Sequence, residues 1–368
     1  MEYRIIDADS HVNEPAEVWQ DRVPAAMRER APKMIELEGG RVGWSFDGGK
    51  RITKLQTALA GIDVTAYNRA GALRHEIRPA SYDPHARLEE MELDMIQAQV
   101  IYPGVALGGA HAYSEDRELQ LSCVRAYNDW IHEFSSVSPE RLIGLPIAPV
   151  TGIEDLLLEW RRVAERGARG FVISTYPNGG PVPLPEDDRF WAEVEDWEYA
   201  VHIHFGFFGE GPTEWSSDVA YLTSSALIDM GTGVVRPLAE MVYMGLFERF
   251  PRLRVVAVET GIGWIPFFKQ VLDDNFLRRR FRSNVHLKRM PSEYFREHVW
   301  ATFINDMHGI ESRHRIGVDR IMWSTDYPHT NSNWPDSQRI AEYEMRDVPE
   351  DEKRRIMRDN AVEVYRLR

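Results

Sequence analysis

Short apolar runs punctuate the chain at intervals long enough to hold a helix between them. They cover residues 3–6, 99–103, 143–148, 170–174, 200–205, 254–258, 299–304 and 320–324, and are rich in Val, Ile and aromatic side chains. Near-continuous apolar character over a short run marks a strand buried on both faces, as in a parallel sheet. Helical patterns fill the gaps at 87–98, 116–137, 153–166, 188–197, 234–250, 264–281 and 307–316, and a closing helix is expected over 351–367. In the first of these, Leu88, Met91, Met95 and Ile96 share one face. Eight strands alternating with helices predict an α/β fold, a (β/α)8 TIM barrel, with a doubly wound open sheet as the competing architecture.

Residues 16–84 break the alternation. Gly39-Gly40 and Gly48-Gly49 bracket Val42-Gly43-Trp44-Ser45-Phe46, which reads as a small hairpin within a long insertion after the first strand. Loops that follow barrel strands sit over the active-site end, so this insertion is expected to act as a lid on a single domain spanning 1–368. A second irregular stretch, 205–233, is expected to shape the same pocket.

Composition narrows the functional classes. With 44 basic and 58 acidic residues the net charge is −14, which argues against nucleic acid and anionic membranes as partners. One cysteine, Cys123, excludes an internal disulfide and a cysteine-based zinc cluster. No apolar run approaches the ~18 residues of a membrane span, and the opening residues carry no apolar signal core, so a cytoplasmic location is expected. Abundant aromatic residues allow a roomy apolar pocket for a small-molecule substrate.

Metal-capable side chains fall at four of the predicted strand ends. The first carries Asp7-Ala8-Asp9-Ser10-His11, the fifth His202-Ile203-His204, the sixth Glu259, and the eighth Asp326 within Trp323-Ser324-Thr325-Asp326-Tyr327-Pro328-His329. The period of two along a strand lets Asp9 and His11 share a face, as it does His202 and His204. Each motif has a plainer reading: a loop turn, a hydrogen-bonded core histidine, a capping aspartate. Together, at the catalytic rim of one barrel, they point to a single divalent ion held by imidazole and carboxylate, with Zn²⁺ placed first and Fe²⁺ or Mn²⁺ as alternatives. Asp7, deeper on the same face, reads as a supporting carboxylate. Cys123 reads as packed. His75, His85, His111, His132, His286, His298 and His314 read as surface or loop residues.

The chain resembles the amidohydrolase superfamily, in the branch related to aminocarboxymuconate semialdehyde decarboxylase. The resemblance rests on Ile6-Asp7-Ala8-Asp9-Ser10-His11, on Asp83-Pro84-His85-Ala86-Arg87-Leu88-Glu89-Glu90-Met91, on Ala200-Val201-His202-Ile203-His204, on Phe250-Pro251-Arg252-Leu253-Arg254-Val255-Val256, on residues 323–329, and on Asn360-Ala361. It implies that His11, His204 and Asp326 stand at metal-ligand positions, with Asp9 in place of a first histidine, and that the protein is a homodimer. It also implies a catalytic histidine at the end of strand six, where this chain has Glu259. His202, His329 and, more weakly, His308 are stand-ins for that imidazole.

The expected reaction is hydrolysis of an acyl bond (ester, lactone, amide or thioester) by a metal-activated water. Asp326 would act as base and His329 or His202 would stabilise the oxyanion. Two alternatives stand beside it. One is metal-dependent non-oxidative decarboxylation of an aromatic or unsaturated carboxylic acid, and the other is a metal-binding barrel without catalysis.

Overall fold

In chain order the strands are β1 (Ile6–His11), β2 (Lys33–Glu36), β3 (Val42–Phe46), β4 (Arg51–Lys54), β5 (Ala98–Tyr102), β6 (Leu142–Gly144), β7 (Gly170–Val172), β8 (Ala200–His204), β9 (Arg254–Val258), β10 (Val299–Phe303) and β11 (Ile321–Trp323). They belong to a computed structural model that describes residues 4–55, 58–62, 71–106, 109–205, 233–283 and 285–367. Strands β1, β5 and β6 pair in parallel, and so do β7 to β11 in sequence order. Parallel bridges between Ile147 and Val172 and between Ser10 and Tyr327 join the two sheets at both seams, giving the eight-stranded TIM barrel. Each of the eight runs expected from apolar character overlaps a strand of the barrel. In β9, Val255, Val256, Ala257 and Val258 are all fully buried, because one face lines the barrel interior and the other meets the helices.

The first strand lies later than its apolar run at 3–6. Every residue from Ile6 to His11 is buried, so the polar Asp7, Asp9 and His11 are interior strand residues rather than the turn that their polarity suggested. The helix expected at 87–98 is Pro84–Leu93, capped by the Asp83 side chain on the N–H groups of His85 and Ala86. Met95, expected on its buried face, has φ 57° beyond the helix end and is exposed. The run 234–250 divides at Gly245, φ 68°, into Val235–Tyr243 and Leu246–Arg249. Helices Pro291–His298 and Ser337–Glu344 were not expected.

Within the insertion the expected hairpin is a three-stranded antiparallel sheet with β3 at its centre. Further along the insertion, the Ala60 N–H donates to the carbonyl of Pro328 (2.8 Å), which brings this segment beside the turn after β11. Residues 206–232 of the second irregular stretch lie outside the described residues. No helix among the described residues is long and apolar enough to cross a membrane.

Candidate metal centre

Two histidines define the centre. His11 ends β1 and His204 ends β8, and both are buried. His11 Nδ1 lies 2.9 Å from the Pro103 carbonyl, and His204 Nδ1 lies 2.8 Å from the Phe205 carbonyl. A carbonyl only accepts, so each Nδ1 carries a hydrogen, and in its neutral form each ring turns a lone pair outward at Nε2. Those two Nε2 atoms stand 3.2 Å apart.

Carboxylates complete the surround. Asp9 Oδ1 lies 3.5 Å from each Nε2, and both Asp9 oxygens are buried with no hydrogen-bond partner among the described residues. Asp326 follows β11 in the left-handed region at φ 58°, and its N–H donates to the Asp9 carbonyl (2.9 Å) across the seam. Its Oδ1 lies 3.4 Å from His11 Nε2, and both its carboxylate oxygens are buried with no hydrogen-bond partner among the described residues. Glu259 follows β9, also at φ 58°, with its N–H donating to Thr302 Oγ1 (2.8 Å) and its Oε2 3.7 Å from His204 Nε2. Non-glycine residues held at positive φ cluster at functional sites.

His329 stacks on the His11 ring at 4.0 Å and places Nδ1 2.7 Å from Asp326 Oδ1. Asp9, His11, His204 and Glu259 form one set whose ligand atoms all lie within 4.8 Å of one another, and His11, Glu259, Asp326 and His329 form a second.

Opposed imidazole lone pairs and orphaned buried carboxylate oxygens are repulsive without a cation between them, so the donor set fits a divalent metal ion. The electrostatics agree. Burial, with the charge of Asp7, holds the Asp9 carboxyl well above its usual range, and burial with Asp9 does the same to Asp326. Burial, then the charge of Asp326, raises Glu259. Burial pushes His329 down to about 4 and lowers His11 strongly, with His329 as a second cause for His11.

Asp9, His11, His204, Glu259, Asp326 and His329 are therefore brought together. His202 is not: it lies deeper in the barrel, its Nδ1 2.8 Å from the Tyr102 hydroxyl and its ring stacked on Tyr365 at 5.5 Å. His308 stays exposed. Asp7 supports the centre from behind, accepting the N–H of Asp9 (3.2 Å) and of Thr325 (2.8 Å). Cys123 is buried. Of the histidines read as peripheral, His298 is in fact buried, stacked on Phe247 at 4.5 Å and bonded to the Leu253 carbonyl. Sequence reasoning missed Arg87 and Gln99, both buried behind β1. The signal for Arg87 was its place four residues before Met91, on the helix face that turns inward.

A family model described as amidohydrolase matches residues 6–367, and the chain belongs to that family. The 2-amino-3-carboxymuconate-6-semialdehyde decarboxylase of Dictyostelium discoideum is 26% identical over 302 residues, 81% of this chain and 80% of the relative. Among solved structures, an amidohydrolase from Mycobacterium avium subsp. paratuberculosis superposes with a TM-score of 0.75 at 22% identity, covering 99% of this chain and 98% of that one. A dihydroxybenzoic acid decarboxylase from Polaromonas, solved with bound manganese and the inhibitor 2-nitroresorcinol, gives 0.66 at 18% identity, covering 100% and 98%.

These findings correct the expectation of acyl hydrolysis. The curated relatives are named decarboxylases, which matches the alternative reaction instead. With hydrolysis falls the role of Asp326 as base for an attacking water. The protein is an enzyme of the amidohydrolase superfamily with a metal-binding His/Asp/Glu cluster.

Proposed function

We propose that this protein is a metal-dependent carboxy-lyase acting without oxidation on an aromatic or unsaturated carboxylic acid. The observation that carries the reading is the cluster itself: two inward lone pairs at 3.2 Å ringed by buried carboxylates, in a chain whose named relatives are decarboxylases.

Asp9, His11, His204 and Asp326 would hold the ion, since their side chains are at most 1% exposed. Two imidazoles and two carboxylates suit several divalent ions, and the choice of Mn²⁺ over Zn²⁺ is supported by the manganese bound in the Polaromonas relative. When bound, the ion supplies a Lewis-acid anchor for the substrate carboxylate and an adjacent oxygen.

Glu259 and His329 are the cluster members with residual exposure, their side chains 7% and 11% accessible, so the mouth of the site opens at these two. They face the reacting carbon in this reading. The bond from that carbon to the carboxyl group breaks, its electron pair stays on carbon, and CO₂ leaves. Glu259 or His329 then delivers the proton that makes the new C–H bond. Asp326, on His329 Nδ1, fixes that ring with Nε2 toward the substrate. The insertion 16–84, tied to the turn after β11 through Ala60 and Pro328, acts as a wall or lid over the mouth.

The test is incubation of the metal-loaded protein with a panel of ortho-hydroxylated aryl and unsaturated carboxylic acids in ¹⁸O-water and, separately, in D₂O. Expected is CO₂ release matching product formation, deuterium at the vacated carbon, and no ¹⁸O in the organic product. Incorporation of ¹⁸O into the product without CO₂ release would overturn the reading. Elemental analysis of protein purified without chelator tests the preference for Mn²⁺.

A further inference from the structure

The segment Asp83–Met91 carries part of the family likeness, yet none of its side chains is among the ligand atoms of the cluster. Its Arg87 is wholly buried. Among the described residues this guanidinium makes no ion pair, although an unpaired buried charge is costly. Its Nε donates to the Ala80 carbonyl (2.6 Å), its Nη1 to Gln99 Oε1 (3.0 Å) and its Nη2 to the carbonyl of His11. Its cationic carbon also lies 4.6 Å over the Tyr327 ring.

Gln99, on β5, passes the contact on: its Nε2 donates to Asp7 Oδ2 (2.9 Å). Its amide thus shows oxygen to the cation and nitrogen to the anion. Asp7 accepts three further donors, the N–H of Asp9 (3.2 Å), the N–H of Thr325 (2.8 Å) and the Thr325 hydroxyl (2.5 Å). The relay therefore grips backbone at His11, at Asp9, and at the residue before Asp326. All three stand at the seam where β1 meets the segment after β11 through the isolated bridge Ser10–Tyr327.

We infer that Arg87, Gln99 and Asp7 form a buried positioning relay that sets the spacing of Asp9, His11 and Asp326, and with it the affinity of the centre for its metal. At this seam the side-chain network reinforces two backbone hydrogen bonds, from the His11 N–H to the Tyr327 carbonyl (2.6 Å) and from the Asp326 N–H to the Asp9 carbonyl (2.9 Å). Groups behind metal ligands tune affinity because they remove the freedom the ligands would otherwise lose on binding. The inference rests on the metal site proposed above and is independent of the reaction assigned to it.

The experiment measures Mn²⁺ affinity by chelator competition, alongside the thermal midpoint of the metal-free protein, in full-length Gln99→Met, Asp7→Asn, Thr325→Val and Phe190→Leu. Phe190 packs against Trp160 and Phe171, away from the relay, and reports loss of stability alone. Expected is a loss of Mn²⁺ affinity of about 10–100-fold in Gln99→Met and Asp7→Asn, with none in Phe190→Leu at a comparable fall in midpoint. Parent-like affinity in folded Gln99→Met and Asp7→Asn would overturn the inference, as would losses that merely track the midpoint across all variants. If Asp7→Asn does not fold, Thr325→Val carries its part: it removes one hydroxyl from the relay, and an affinity equal to the parent's counts against the inference. A parent that binds Mn²⁺ but releases no CO₂ refutes the reaction and leaves the relay standing, whereas a parent that binds no divalent ion refutes both.

Discussion

A neutral imidazole has one hydrogen to give, and at this centre the backbone takes it. Pro103 and Phe205 bind the two Nδ1 atoms, so the Nε2 atoms of His11 and His204 meet as acceptors. Removing one surrounding carboxylate should therefore weaken the ion directly. Asp326→Asn is expected to lose at least the ~10–100-fold in metal affinity that groups behind a ligand command, read by elemental analysis and chelator competition, with activity falling in step. Glu259 and His329 should behave differently because they stand at the mouth. Glu259→Gln and His329→Gln are expected to keep their metal while kcat for decarboxylation drops about 10²–10⁴-fold, the usual range for a positioned proton donor. Parallel loss of metal and turnover in both variants would make them ligands instead.

At the scale of the element, the first strand and the loop after β5 work as one piece. Gly104 meets β1's outgoing chain so closely that an added Cβ would stand 1.8 Å from the Val12 carbonyl. Buried Glu14 accepts the N–H of Val105 at 2.8 Å and that of Gly104 at 3.3 Å, holding the loop whose Pro103 carbonyl orients His11. Gly104→Ala must push these segments apart. It is expected to cost about 1–3 kcal/mol in denaturant unfolding, as overpacking does, and to weaken the metal as well, because Pro103 moves with Gly104. The same element shows why some of this architecture was legible beforehand. Strands such as β9 lie buried on both faces and announce themselves by unbroken apolar sequence. In β1 the interior positions belong to Asp7, Asp9 and His11, so its apolar run misplaced the strand even as its polar residues marked the site. The fate of His202 was not legible either. A His-x-His pair on a strand puts both rings on the inner face, but successive inward residues occupy different layers of the barrel, and only the upper ring, His204, reaches the cluster. Arg87 was passed over for a related reason: despite its place four residues before Met91, a charged residue inside a helix reads as a solvated face until packing turns that face inward.

For the whole molecule, the consequence is a stability that depends on pH in opposite senses with and without metal. Burial raises Asp7 and Glu14 to about 7, and raises Asp9, Asp326 and Glu259 well above their ordinary range. A carboxyl whose folded pKa exceeds its unfolded value binds more protons when folded, so stability falls as pH rises through the window between the two. His11, His202 and His329 are shifted the other way, the last two to about 3 and about 4, and their contribution rises with pH only up to the unfolded value near 6.5. Below that value the two families oppose each other. Above it the histidines are neutral in both states and the carboxyls act alone. The metal-free protein is therefore expected to lose thermal midpoint as pH rises from 6.5 through about 7, where Asp7 and Glu14 titrate. Saturating Mn²⁺ binds the ionised carboxylates and the neutral imidazoles, so it should flatten or invert that slope. Calorimetric scans across this range, with and without metal, make the comparison. A metal-free midpoint that stays level or climbs with pH above 6.5 would mean that the buried carboxyls ionise at least as readily as exposed ones, and that the centre does not need a cation to balance them.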